Sequence, residues 1–164
     1  MFYEDIFKKF NSDNIQYLVV GGIAVNLHGV PRTTQDLDLM INLEKNNIIK
    51  IIKNLTALGY KPKLPVNPED LANDKKRQEW IDKKNLKAFT FYHEKYPALE
   101  VDLLVCYPIS YEEAEKNKII KKADDLIIPL ISIKDLIKLK EPVNRKQDIS
   151  DIAMLKKILE FKNE

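Results

Sequence analysis

The run Asp36-Leu37-Asp38-Leu39 constrains this chain more than any other stretch of its sequence. Successive side chains on a strand leave opposite faces, so a period of two puts Asp36 and Asp38 on one face and Leu37 and Leu39 on the other. The pattern predicts a strand from Asp36 to Asn42. A second run, Glu100-Val101-Asp102-Leu103, alternates in the same way within a strand expected from Leu99 to Tyr107. If these two strands are neighbours, three carboxylates, Asp36, Asp38 and Asp102, converge on one spot. Aspartate is depleted from strands, and like charges held together raise one another's pKa, so such a cluster calls for a counter-charge. A hard divalent cation supplies it, because Mg²⁺ is typically held by one or two carboxylates together with substrate phosphates. The competing reading is an edge strand whose acids simply face solvent.

What lies upstream weighs against that reading. Tyr17-Leu18-Val19-Val20 is a short β-prone run stopped by Gly21-Gly22, after which Ile23 to His28 reads as one or two helical turns ended by Gly29 and Pro31. Glycines at a strand-to-helix junction let backbone N–H groups approach phosphate oxygens, although a bare glycine pair is more often only a tight turn.

Elsewhere the hydrophobic period keeps switching, which predicts an α+β fold with a mixed sheet flanked by helices. Phe2, Ile6 and Phe10 mark a first helix over residues 2–11. Ile48, Ile49, Ile51, Ile52, Leu55 and Leu58 mark a helix ending at Gly59. Residues 60–85, with prolines at 62, 65 and 68, read as a loop followed by a helix. Strands are expected over Ala88 to His93 and Leu126 to Ile131, with a short helix near Ser110 to Lys118. Ser132 followed by Asp135 resembles a capping box opening a helix to Lys140, ended by Pro142, and a last helix runs from Lys146 to Phe161. In that helix Ile149, Ile152, Leu155 and Leu159 can pack internally or against a second copy in a homodimer.

The chain's 164 residues suit a single domain, with a core at about 15–131 and a helical part at about 132–164. Its 27 basic and 25 acidic side chains exclude a protein that holds nucleic acid by bulk charge alone, although residues 116–164 carry 12 basic against 8 acidic. A single cysteine, Cys106, makes no internal disulfide and reads as a small hydrophobe in an apolar run. With no apolar leader and no run near the roughly 20 residues of a membrane span, the expectation is a cytoplasmic protein without a membrane partner. His28 and His93 have no companions for a zinc set and read as packed or surface residues.

Taken together, the strings Val19-Val20-Gly21-Gly22, Asp36-Leu37-Asp38-Leu39 and Val101-Asp102-Leu103-Leu104 resemble the signature of the nucleotidyltransferase superfamily built on the polymerase β-like fold. The fuller string from Gly21 to Ile41, with Arg32, Thr33 and Thr34 before the acidic strand, looks like the small bacterial branch that includes abortive-infection and toxin-antitoxin nucleotidyltransferases. Lys140, Arg145, Asp148 and Asp151 are similar to a helical motif of that branch, in which the lysine contacts nucleotide phosphates. The residues themselves read more openly. A lysine just before a proline break is free to reach a polyanion, and Asp148 and Asp151, sharing a helix face, can serve a site or pair with nearby bases.

The resemblance implies transfer of a nucleoside monophosphate from a nucleoside triphosphate such as ATP, with release of pyrophosphate. Asp36, Asp38 and Asp102 would be the catalytic residues and the ligands of Mg²⁺ or Mn²⁺. Gly21, Gly22, Arg32, Thr34, Lys140 and Asp148 would bind the nucleotide. The implied acceptor is a tRNA or a partner protein. Two alternatives stand beside it: a small-molecule adenylyltransferase of the antibiotic-modifying kind, which usually has an acid soon after the glycines where this chain has Asn26, and a catalytically silent nucleotide-binding or antitoxin module. Many members carry serine where this chain has Gly22.

Overall fold

A computed structural model describes residues 3–163. The expected first helix is α1 (Glu4–Ser12), which buries Ile6, Phe7 and Phe10; Phe2 lies outside the described residues. Strand β1 (Tyr17–Val20) runs straight into α2 (Gly21–Leu27), and β2 (Leu37–Ile41) leads to α3 (Lys45–Ala57). The stripe expected on α3 holds for Ile48, Ile51, Ile52 and Leu55, all buried, whereas Ile49 turns to solvent. Buried Asn47 ties this helix to the sheet: its Oδ1 accepts from Gln16 N at 2.8 Å, and its Nδ2 donates to the Gln16 and Asn42 carbonyls. With every polar atom partnered, this amide fixes how β1 enters and β2 leaves the sheet, its hydrogen bonds offsetting the cost of burying it.

Residues 60–85 hold more structure than a loop and a helix. They form β3 (Tyr60–Pro62), a 3-10 turn at Pro68–Ala72 and α4 (Asp74–Lys84). Asn67 and Asn73 cap the last two through side-chain oxygens that accept backbone N–H bonds. Next come β4 (Ala88–His93), β5 (Glu100–Leu104) and α5 (Tyr111–Lys116). The hairpin of β6 (Ile119–Ala123) and β7 (Leu126–Leu130) is followed by α6 (Ile133–Lys140) and α7 (Lys146–Asn163). Strand β6 escaped the sequence reading because all five residues are exposed, so no buried face imposes alternation. Of the expected capping box the N-cap half is present, with Ser132 Oγ accepting from Asp135 N at 3.1 Å, while the Asp135 carboxylate accepts from Asn117 and Lys138.

The sheet has seven strands in the order β3-β4-β5-β2-β1-β7-β6. β2 runs antiparallel to β1 but parallel to β5, and β1 runs parallel to β7, so the sheet is mixed as expected. α1 packs on β7 and α3, α2 on β1 and β2, and α6 on α7. Phe7, Phe10, Phe89 and Phe91 are fully buried, each contributing about 2–3 kcal/mol relative to an exposed ring. On α7, Leu155 is buried, Ile152 and Leu159 lean on the core, and Ile149 is exposed; the helix therefore uses most of its apolar face internally. Among the described residues no helix is long and apolar enough to cross a membrane.

Candidate active site

The adjacency that the acidic strands require is present. In the parallel β2/β5 register Asp38 stands opposite Asp102, with Leu37 opposite Val101 and Leu39 opposite Leu103. The four aliphatic side chains are fully buried beneath the sheet, which forces Asp38 and Asp102 onto the other face. Asp36 stands one residue before β2 rather than on it, and its side chain is exposed at the mouth of the strand. Its position is tied down by the buried Tyr3 hydroxyl, which donates to the Gln35 carbonyl at 2.5 Å, with the Glu100 carbonyl at 3.0 Å.

Burial, with the charges of Asp102 and Asp36 added, pushes the Asp38 carboxyl up to about 7, against the opposing pull of Lys140 and the Gly22 N–H. Partial desolvation and the charges of Asp102 and Glu100 raise Asp36 as well. Asp102 accepts a hydrogen bond from the Thr90 hydroxyl at 2.5 Å. Among the described residues none of the three carboxylates is in an ion pair, and no three His, Cys, Asp or Glu side chains form a metal cage by themselves. Uncompensated negative charge on two adjacent strands nonetheless fits Mg²⁺, whose shell is usually completed by water and phosphate oxygens.

The glycines meet this cluster from the other side. Gly21 takes φ +65°, a left-handed conformation that side chains disfavour, and a Cβ built there would overlap the Asp38 carboxylate. At Gly22 a Cβ would lie 2.5 Å from Thr34 Oγ1, 2.9 Å from Thr34 Cβ and 3.2 Å from Arg32 Cζ. The structure thus brings Gly22, Arg32 and Thr34 together, and it explains the glycine where many members of the resembled superfamily have serine: the threonine already fills that space. Asn26, at the position where an acid was expected of an antibiotic-modifying enzyme, has a structural task, accepting from Arg32 N at 2.9 Å.

Lys140 departs from its sequence reading. It is buried rather than free, and its ammonium lies 2.9 Å from Asp151 Oδ2 and 3.2 Å from Asp148 Oδ1. Arg32 Nη1 reaches Asp151 Oδ2 at 2.5 Å, and Arg145 Nε reaches Asp148 Oδ2 at 2.8 Å. Burial alone would raise the two acids, but bonds from Arg145 and Lys140 hold Asp148 below the usual carboxylate range, as bonds from Lys140 and Gln147 do for Asp151. Of the two readings left open for these acids, pairing with nearby bases is the one observed, for Asp151 and Asp148 alike. Three bases against two acids leave one positive charge in excess, facing Asp38 across a cleft of about 570 Å³. Gly21, Asp38, Lys140 and Arg145 line its polar side and Leu104 and Leu136 its apolar side.

Cys106 is exposed at the rim of this cleft and is not the packed hydrophobe its neighbours suggested. A larger depression of about 830 Å³ beside Glu44, Asn67 and Asp74 contains none of the expected site residues. His28 is buried, its Nε2–H donating to the Ile131 carbonyl at 2.7 Å while burial lowers its pKa, and His93 Nδ1 accepts two backbone N–H bonds. Thr90 is a residue the sequence reading passed over. Its signal was the alternation of β4, where buried Phe89 and Phe91 leave Thr90 on the opposite face, toward the carboxylates.

No family model matches the sequence, and no curated protein matches it either. Solved structures do. The lincosamide antibiotic adenylyltransferase LnuA, lincomycin-bound, aligns with TM-score 0.62 at 20% identity, covering 96% of this chain and 94% of LnuA. ANT(2")-Ia in complex with adenylyl-2"-tobramycin aligns with TM-score 0.59 at 13% identity, covering 96% and 87%. An antigenic nucleotidyltransferase-like protein from Paracoccidioides brasiliensis aligns with TM-score 0.54 at 17% identity, covering 94% and 73%. Through the mixed sheet, the glycine turn and the acidic strand pair, this chain has the nucleotidyltransferase fold.

Proposed function

We propose that the chain is a metal-dependent nucleotidyltransferase that moves a nucleoside monophosphate from a nucleoside triphosphate to an acceptor hydroxyl in the cytoplasm. The observation that carries this reading is Asp38 opposite Asp102 beneath the Gly21-Gly22 turn, at the mouth of a cleft with excess positive charge. Asp36, Asp38 and Asp102 would hold Mg²⁺ or Mn²⁺, which supplies Lewis-acid stabilisation of the phosphoryl oxygens. The Gly21-Gly22 turn, whose lack of side chains lets phosphate approach, and the Thr34 hydroxyl orient the triphosphate, while the Gly22 N–H holds Asp38. Arg32, beside Gly22, and the Lys140–Asp148–Asp151 network across the cleft contribute charge. Asp102, on the opposite strand, accepts the proton of the attacking hydroxyl. That oxygen bonds to the α-phosphorus as the bond from the α-phosphorus to the β-phosphate oxygen breaks, and pyrophosphate leaves.

The acceptor is read first as a tRNA or a partner protein, in a toxin-antitoxin or abortive-infection setting. A small hydroxylated antibiotic is a second reading, favoured by the fold shared over nearly the whole chain with LnuA and ANT(2")-Ia. Incubating the protein with Mg²⁺ or Mn²⁺, labelled nucleoside triphosphates and separate pools of total tRNA, co-expressed neighbouring proteins, lincosamides and aminoglycosides tests all of this. Pyrophosphate release with label on one pool, lost in Asp38→Ala, is the expected outcome. Calorimetric titration showing binding of neither metal nor triphosphate overturns the enzyme reading.

A further inference from the structure

Thr90 stands directly opposite Asp102 in the antiparallel β4/β5 register, just as Asp38 does on the β2 side. Its hydroxyl donates to Asp102 Oδ1 at 2.5 Å, the short range of an O–H bonded to a carboxylate. Among the described residues no other hydrogen bond or ion pair restrains this carboxylate. An aspartate's terminal torsion is broad, and the neighbouring Asp38 and Asp36 charges push the group away. A β-branched donor whose own χ1 is stiff opposes that swing. The threonine backbone is anchored too, since its carbonyl accepts from Lys63 N at 2.9 Å while the Lys63 ammonium reaches Glu100 at 2.6 Å.

We propose that Thr90 is a positioning residue for nucleotidyl transfer: by fixing Oδ1 of Asp102 it presents Oδ2 to the metal and to the acceptor hydroxyl. The proposal rests on the function proposed above. Threonine suits any strand, so what carries the inference is a hydroxyl aimed at this one carboxylate.

Thr90→Val keeps the side-chain shape and removes the donor, Thr90→Ala removes the donor with a smaller side chain, and Thr90→Ser keeps the donor. Mn²⁺ binding with a non-hydrolysable nucleoside triphosphate analogue, followed by electron paramagnetic resonance, gives a readout independent of turnover. The valine and alanine variants should bind Mn²⁺ about ten-fold more weakly, and their kcat should fall about 10- to 100-fold, as expected for a lost bond to a charged group. KM for the triphosphate should stay within about three-fold, because substrate binding is not what the hydroxyl serves. Thr90→Ser should restore both properties, with far-UV circular dichroism showing all variants folded. Wild-type Mn²⁺ binding and kcat in a donor-free variant, or a serine variant as impaired as valine, overturns the positioning role alone. A wild-type protein that binds no Mn²⁺ with the analogue overturns this proposal together with the function beneath it.

Discussion

Replacing Asp38 with asparagine should make the metal-free protein more stable while removing its chemistry. Burial, with the charges of Asp102 and Asp36, pushes the Asp38 carboxyl up to about 7 from its ordinary 3.8, so the native state binds its proton more tightly than the unfolded chain does. Below about pH 3.8 both states are protonated and the residue costs nothing. Between about pH 3.8 and 7 the unfolded chain has lost the proton that the native state keeps, so stability falls as pH rises, and above 7 the whole penalty is present. At 1.36 kcal/mol per pH unit the ceiling is about 4 kcal/mol, and solvent reaching the partly exposed carboxylate reduces it to about 2–4 kcal/mol. Asparagine is nearly isosteric and can still accept from the Gly22 N–H, so Asp38→Asn should recover this amount. For a chain of this length that is a rise in Tm of roughly 5–15 °C at pH 8 in the presence of a chelator. At pH 5 the gain should shrink to less than half, and Mg²⁺ with a nucleoside triphosphate should stabilise wild type but not the variant. Circular-dichroism melts at the two pH values make the measurement. An asparagine variant less stable than wild type at pH 8, or a gain equal at pH 5 and pH 8, would refute the account of Asp38 as an uncompensated buried charge.

The other expectations concern how the site is built. Gly22→Ser should destabilise by about 2 kcal/mol in urea unfolding, because its Cβ meets the Thr34 side chain; adding Thr34→Ala should recover part of the loss by removing the nearer atom. Lys140→Met should cost about 3 kcal/mol, since two buried carboxylates lose a shared partner. A double variant that also carries Asp151→Asn should lose less than the two single changes together, and equality with their sum would show that the residues do not act as one network.

Much of the site was readable because its information is local. Period-two alternation placed Asp38 and Asp102 on the polar faces of their strands, and the glycine pair after Val20 marked the turn above them. The apolar stripe of α3 and the ranges of α6 and β4 followed from apolar spacing and the Ser132 cap. Where local pattern was weak, so was the reading. β6 is exposed throughout, and residues 60–85 carry three prolines and a helix with no fully buried residue, so neither period was imposed.

By itself, then, the sequence determined the chemical types on each face and the order of elements, because backbone geometry alone converts spacing into facing. Only the tertiary structure decided which strands became neighbours, since pairing β2 with β5 joins residues more than sixty positions apart, which no local preference encodes. The same long-range closure set Thr90 against Asp102. It also folded α7 back so that Asp148 and Asp151 clamp Lys140, a residue that reads as free in one dimension and is buried and shared in three.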